Sequence, residues 1–188
     1  MRLFVAINLP IEERERLSRA VRELQERTYP IRWVKAANVH LTLKFLGEVA
    51  EERLAVVSRA IDSATGDLVP FQLDVRDFGA FPSARRPRVV WAGIESCEAL
   101  EALQDRLESD MESVGFEREQ RPFHPHLTLG RPRKSASAGD FRGFDEAISR
   151  LTFHARLPVE AVDLMGSVLR PTGAVYTIIH SAALGRAS

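Results

Sequence analysis

One tetrapeptide occurs twice in this chain, as His40-Leu41-Thr42-Leu43 and as His126-Leu127-Thr128-Leu129, with close to half of the 188 residues between the copies. On a β-strand, side chains alternate between faces. Each copy therefore sets a histidine and a threonine on one face and two leucines on the other. The leucines can enter a core while the imidazole and the hydroxyl stay side by side on the opposite face. If the two strands meet about an approximate two-fold, they line one cleft with two imidazoles and two hydroxyls.

A single His-x-Thr carries little weight. Threonine is a good strand former, and a strand histidine is usually a surface residue or a satisfied core residue. Five histidines and seven threonines give roughly 0.2 such tripeptides by chance. The inference rests on the pair, both within His-Leu-Thr-Leu and both on expected strands.

The remaining patterns read as α+β, with a largely antiparallel sheet. Leu17, Ala20, Val21 and Leu24 fall at helical spacing after Pro10, as do Leu54, Val57, Ile61 and Ala64. Leu100, Leu103, Leu107, Met111 and Val114 predict a third helix that Gly115 stops, and Phe144, Ala147, Ile148 and Leu151 predict a short fourth. Leu3, Val5 and Ile7 alternate as a strand, and so do Phe71, Leu73 and Val75. Val89 to Ile94 is apolar on both faces, which predicts a central strand with Trp91 in the core. Two late strands, Val159 to Leu169 and Val175 to His180, are joined at Arg170-Pro171-Thr172-Gly173 as a hairpin. The segments 79–88 and 133–140 read as loops, the second as a flap. Residues 1–188 are expected to form one domain of two intertwined lobes. Each lobe is an antiparallel sheet flanked by helices and contributes one motif, at 40–43 and 126–129, across a central cleft with pseudo-two-fold symmetry.

Composition narrows the function classes. No apolar run approaches the ~18 residues needed to span a bilayer, and the N-terminal residues read as a strand where a signal peptide would carry a basic and an apolar region. A cytoplasmic protein without a membrane partner is expected. Cys97 is the one cysteine, so an intramolecular disulfide and a cysteine metal cluster are both excluded. The net charge of +0 argues against non-specific coating of nucleic acid, which needs a basic excess. A local basic cleft is still allowed.

The doubled motif suits phosphodiester chemistry. Transfer at phosphorus needs a base for the attacking oxygen and an acid for the leaving oxygen, on opposite sides. Histidine titrates nearest neutral pH, so a neutral imidazole and an imidazolium can coexist. Threonine hydroxyls can donate to the non-bridging oxygens. Neither metal nor cofactor is required. The symmetry of the two copies leaves open which histidine is acid and which is base.

At these residues the chain resembles the 2H phosphoesterases, and among them the RNA 2′,3′-cyclic phosphodiesterases also called 2′-5′ RNA ligases. The resemblance covers nearly the whole chain. It takes in Arg2 to Ile7, Arg32-Trp33-Val34, Asn38 to Glu48, Phe81-Pro82, Pro87 to Gly93, Phe123 to Arg131 and Ser167 to Tyr176. It implies His40 as proton donor, His126 as proton acceptor, and Thr42, Thr128 and Arg131 as phosphate-binding residues. The implied reaction hydrolyses RNA 2′,3′-cyclic phosphate ends, tRNA fragments among them, to 2′-phosphates, in a monomer without metal. With an RNA 5′-hydroxyl in place of water, the same site would form a 2′-5′ linkage.

Two rival functions are kept. One retains the site on small cyclic nucleotides, ADP-ribose cyclic phosphate or 2′-5′ oligonucleotides. The other is a non-catalytic RNA- or nucleotide-binding module. His124 reads as an entrance residue, and His154 and His180 as structural or exposed. Trp33 and Phe45 read as core more than as base-stacking residues. Tyr176 is a candidate to face the site. Arg85, Arg86 and Arg88 form one basic cluster and Arg131, Arg133 and Lys134 another; both would steer RNA if they flank the cleft.

Overall fold

A computed structural model describes residues 1–171 and 173–185. Its strands are β1 (Arg2–Asn8), β2 (Ile31–Trp33), β3 (His40–Glu48), β4 (Phe71–Phe81), β5 (Val89–Ile94), β6 (His126–Pro132), β7 (His154–Val159), β8 (Ala161–Arg170) and β9 (Gly173–Ala183). The helices are α1 (Ile11–Ala20), α2 (Arg22–Glu26), α3 (Leu54–Thr65), α4 (Glu98–Ser113) and α5 (Phe144–Ser149). The α+β class holds, but the expected two sheets are one. The strands run in the order β7-β4-β5-β6-β3-β1-β8-β9, with β2 added beside β6, and every pairing is antiparallel. The two motif strands, β6 and β3, meet at the middle of that order. Leu41 pairs with Leu127 there, so backbone hydrogen bonding continues where two sheets would need a break.

The sheet is strongly curled, and its connectivity shows why. β7 is an edge strand and β8 lies near the other edge, yet only Glu160 separates them. Flat strands six spacings apart would stand roughly 29 Å from one another. One residue spans only ~3.5 Å, so the sheet must bend until the end of β7 reaches the start of β8.

One face of the sheet carries the core. Leu3, Val5, Leu41, Val75, Ala92, Leu127 and Leu164 are buried in a single cluster with Leu17, Leu24, Ile61, Leu107 and Phe144 from the five helices. All helices thus cover the same face, and the other is left for the site. There Phe4, Ala6 and Met165 form a separate small cluster with Tyr176 packed against it.

Several boundaries differ from the expectations. The first helical segment breaks into α1 and α2 at Val21, although Leu17, Val21 and Leu24 are all buried. α4 ends as expected, with Gly115 at φ +88° and the Phe116 N–H donating to the Met111 carbonyl. β4 runs on to Phe81 through a bulge at Asp77, φ 52°, so Gly79 to Phe81 is strand. The segment 133–140 is not a loose flap. Ser137 and Asp140 form a capping box, and Phe141 just beyond is buried. The β8–β9 hairpin forms with Arg170 paired to Gly173; Thr172 of its turn lies outside the described residues, as do residues 186–188. Among the described residues no helix is long and apolar enough to cross a membrane.

Candidate active site

The site is built on the join of β3 and β6. The antiparallel pair Leu41–Leu127 fixes the register on either side of it. With the strands antiparallel, this one pair sets Thr42 toward the His126 side of the join and His40 toward the Thr128 side. Leu41, Leu43, Leu127 and Leu129 are buried as alternation predicts, while both histidines and both threonines are half-buried on the opposite face.

Each motif is followed by a β-bulge. In β3, Ala6 pairs with Thr42 but Val5 with Lys44, so Leu43 is the extra residue. In β6, Trp91 pairs with Thr128 but Val90 with Gly130, so Leu129 is the extra residue. The bulge places two successive residues on the core face. It then returns Phe45 in one strand and Arg131 in the other to the site face. Strict alternation would have turned Arg131 away from His126. The consequence differs between the halves. Phe45 is 67% exposed beside the Phe4 ring, so it is not the core residue expected, whereas Arg131 contributes a cation next to His126.

The two imidazoles are held alike. His40 Nδ1 lies 2.8 Å from the carbonyl oxygen of Asn38, and His126 Nδ1 lies 2.8 Å from that of His124. A carbonyl can only accept, so Nδ1 carries the hydrogen in both rings and Nε2 is left free among the described residues. Aromatic rings fix each imidazole from the side. Phe4 is 4.8 Å and Tyr176 5.3 Å from the His40 ring, and Phe81 meets the His126 ring edge-on at 5.4 Å. Tyr176 therefore faces the site as expected. Burial pushes the His40 pKa below histidine's ordinary value; the bond to Asn38 opposes the shift and the Arg14 charge adds to it. Burial also lowers His126, opposed by the bond to His124 and reinforced by Arg131 and His124.

Trp91 is a second correction. Its strand is central, but only Val90, Ala92 and Ile94 point into the core. Trp91 pairs with Thr128 on the site face and lies 5.1 Å from the Phe81 ring. Gly79 lets it lie flat there, since a Cβ on Gly79 would come within 2.2 Å of the indole. Trp33, in contrast, packs against the core.

A cleft of about 780 Å³ is lined by Thr42, Phe45, Phe81, His124 and His126 among others. Its far wall depends on Lys44 and Glu108, which the sequence reading did not single out. Lys44 Nζ donates to Glu108 Oε2 at 2.6 Å and to the Glu117 carbonyl at 2.7 Å, and the Glu119 N–H donates to the same carboxylate oxygen. Both side chains are about 95% buried, with 4% and 5% exposed. The pair ties β3 to α4 and pins the segment that leads into β6. Its members are far apart in sequence, so no local pattern announces it. His154 and His180 lie elsewhere, on Asp74 and Asp62. Among the described residues no group of three or more His, Cys, Asp or Glu is arranged to hold a metal.

Residues 13–168 match the 2′-5′ RNA ligase superfamily. The chain is 34% identical over 193 residues to the RNA 2′,3′-cyclic phosphodiesterase of Thermus thermophilus, covering 98% of this chain and 90% of that protein. It is 32% identical over 180 residues to the RNA 2′,3′-cyclic phosphodiesterase of Methanothermobacter thermautotrophicus, covering 94% and 95%. Its fold matches that of E. coli LigT complexed with 3′-AMP at a TM-score of 0.79, with 31% identity and 98% of each chain covered. The chain belongs to the 2′-5′ RNA ligase superfamily and is, over most of its length, a homologue of RNA 2′,3′-cyclic phosphodiesterases.

Proposed function

We propose that the protein hydrolyses RNA 2′,3′-cyclic phosphate ends to 2′-phosphomonoesters by metal-independent acid–base catalysis. The observation that carries this reading is the Leu41–Leu127 register. It joins the two motifs side by side, with both histidines and both threonines on the face opposite the buried leucines. His126 Nε2 takes a proton from water as the water oxygen attacks phosphorus. The P–O3′ bond breaks, and His40 Nε2–H gives its proton to the departing O3′. The product carries a 2′-phosphate and a 3′-hydroxyl, and the two rings exchange protons with solvent before the next turn. Thr42 and Thr128 donate to the non-bridging oxygens, and Arg131 offsets the charge that gathers there.

The choice of His126 as base is supported by its surroundings. Burial first, and then the Arg131 charge, oppose its protonation. Burial lowers the His40 pKa as well in the free protein, but an anionic phosphate beside the ring raises it and favours the acid form. With an RNA 5′-hydroxyl replacing water, the same bond changes give a 2′-5′ phosphodiester. The reading is tested by His40→Ala and His126→Ala. Each should lower turnover of an RNA 2′,3′-cyclic phosphate by about 10²–10⁴ while RNA binding is kept. Undiminished turnover in either variant would remove that histidine from the mechanism.

A further inference from the structure

Two openings lead away from the paired motifs, and their charges differ. The cleft beside Phe45 is walled by Glu108, Glu117 and Glu119 together with Lys44, Arg118 and Arg121, so its charges balance. The second, of about 850 Å³, starts at Pro82 and Pro132. These residues directly follow Phe81, which touches the His126 ring, and Arg131. Four cations line this groove, Arg86, Arg88, Arg133 and Lys134, and no acidic side chain does. All four are exposed. Among the described residues none of them makes a side-chain hydrogen bond or ion pair, whereas the neighbouring Arg85 pairs with Asp145.

In a chain of net charge +0, this grouping is a local concentration of one sign. Like charges gathered without counter-charges repel, and a polyanion relieves that repulsion. The groove is also held in shape. Pro87 and Phe141 are buried beneath it, and the capping box of Ser137 and Asp140 fixes its rim. Pro132 lies six residues along β6 from His126, roughly 20 Å of strand. A single nucleotide at the motifs does not reach so far, but a longer chain does.

We propose that this groove holds the backbone phosphates of the RNA that precedes the reacting end. The proposal rests on the phosphodiesterase reading above and adds where the rest of the substrate lies. The substrate's own polarity requires such a path, because a cyclic phosphate closes the 3′ end and the whole chain lies on its 5′ side. The other opening, where three glutamates offset three cations, is the less favourable route for a polyanion.

The test uses the full chain and a quadruple variant, Arg86→Ala, Arg88→Ala, Arg133→Ala and Lys134→Ala. Turnover is compared on adenosine 2′,3′-cyclic phosphate and on an RNA of about ten nucleotides ending in the same group, a length within single-strand site sizes. The variant should keep kcat/KM on the mononucleotide within about twofold and lose about 10- to 100-fold on the RNA at low salt. Binding of a 3′-hydroxyl RNA of equal length is measured by fluorescence anisotropy against salt. Four lost phosphate contacts should make the log–log slope shallower by about 3. Equal losses on both substrates, an unchanged salt slope, or equally tight competition by polyglutamate would overturn the proposal. If the wild type turned over neither substrate, the catalytic reading would fail, and the binding slopes alone would still decide the groove.

Discussion

Leu41 lies directly opposite Leu127 where β3 meets β6, and both are essentially fully buried. This apolar pair is the back of the active site, because the residues on either side of it are the histidines and threonines. Truncating one of them should cost about 2–5 kcal/mol, the usual range for a buried leucine cut to alanine. Because the two touch across one join, Leu41→Ala and Leu127→Ala should be non-additive by about 0.5–3 kcal/mol. Urea unfolding of the single and double variants measures this. Full additivity would mean that the join does not behave as one packed unit.

The pH dependence follows from the direction of the histidine shifts. Both site imidazoles are held below the ordinary histidine pKa, chiefly by burial. The proposed mechanism needs one ring neutral and one protonated, so the productive fraction of free enzyme should peak on the acid side of ~6.5. kcat/KM should therefore fall as pH rises past that value. Bound phosphate raises both pKa values, so kcat should peak at higher pH than kcat/KM. Profiles that coincide would contradict the charge coupling between phosphate and rings.

The same shifts bear on stability. The unfolded chain takes up protons on these histidines near pH ~6.5, but the folded protein does so only at lower pH. Between the two values the unfolded state binds more protons. Their contribution is thus fully present above ~6.5 and is lost as pH falls. Replacing His40 and His126 by glutamine should flatten the decline of the urea midpoint between about pH 7 and 5. An unchanged slope would show that other groups govern the acid limb.

Lys44 and Glu108 give the largest single-site stability prediction. Lys44→Met leaves the buried Glu108 carboxylate without its cation, which should destabilise by about 3–5 kcal/mol. Adding Glu108→Leu removes the orphaned charge and should restore much of the loss. The Glu117–Glu119 backbone also loses its anchors in the double variant, so KM should stay raised while stability recovers. A double variant with wild-type KM would show that the pair does not shape the cleft.

Gly79 tests the stacked rings behind His126. A methyl there meets the Trp91 indole at 2.2 Å, and Trp91 supports Phe81, which abuts His126. Gly79→Ala should cost about 1–3 kcal/mol by overpacking and lower kcat through the displaced rings. Combining it with Trp91→Val should return the stability. If Gly79→Ala were silent in kcat, the stack would have no part in holding the imidazole.

Much of this arrangement was legible before any coordinates. The alternation within His-Leu-Thr-Leu assigned the faces of eight residues correctly, because a buried face enforces its own register. The helical spacing of Leu54 to Ala64 and Leu100 to Met111, with Gly115 as a stop, was equally clear. The bulges after each motif were not legible, since an extra residue leaves no mark on the pattern of apolar positions. That is why the pattern misplaces Phe45 and why a phosphate-binding role for Arg131 comes only from the family resemblance. β7 was hidden by Pro158, which is tolerated because β7 is an edge strand. The single curled sheet depends on a one-residue connection at Glu160 and on the pairing of Leu41 with Leu127, both of them facts of topology that local propensity does not encode.

The central claim is that two opposed imidazoles, without metal, open a cyclic phosphate at the P–O3′ bond. It is tested most directly by incubating the protein, in chelator, with RNA ending in a 2′,3′-cyclic phosphate and identifying the terminus formed. The expected product is a 2′-phosphate beside a free 3′-hydroxyl, formed at an undiminished rate. A 3′-phosphate product, or activity abolished by the chelator, would contradict it.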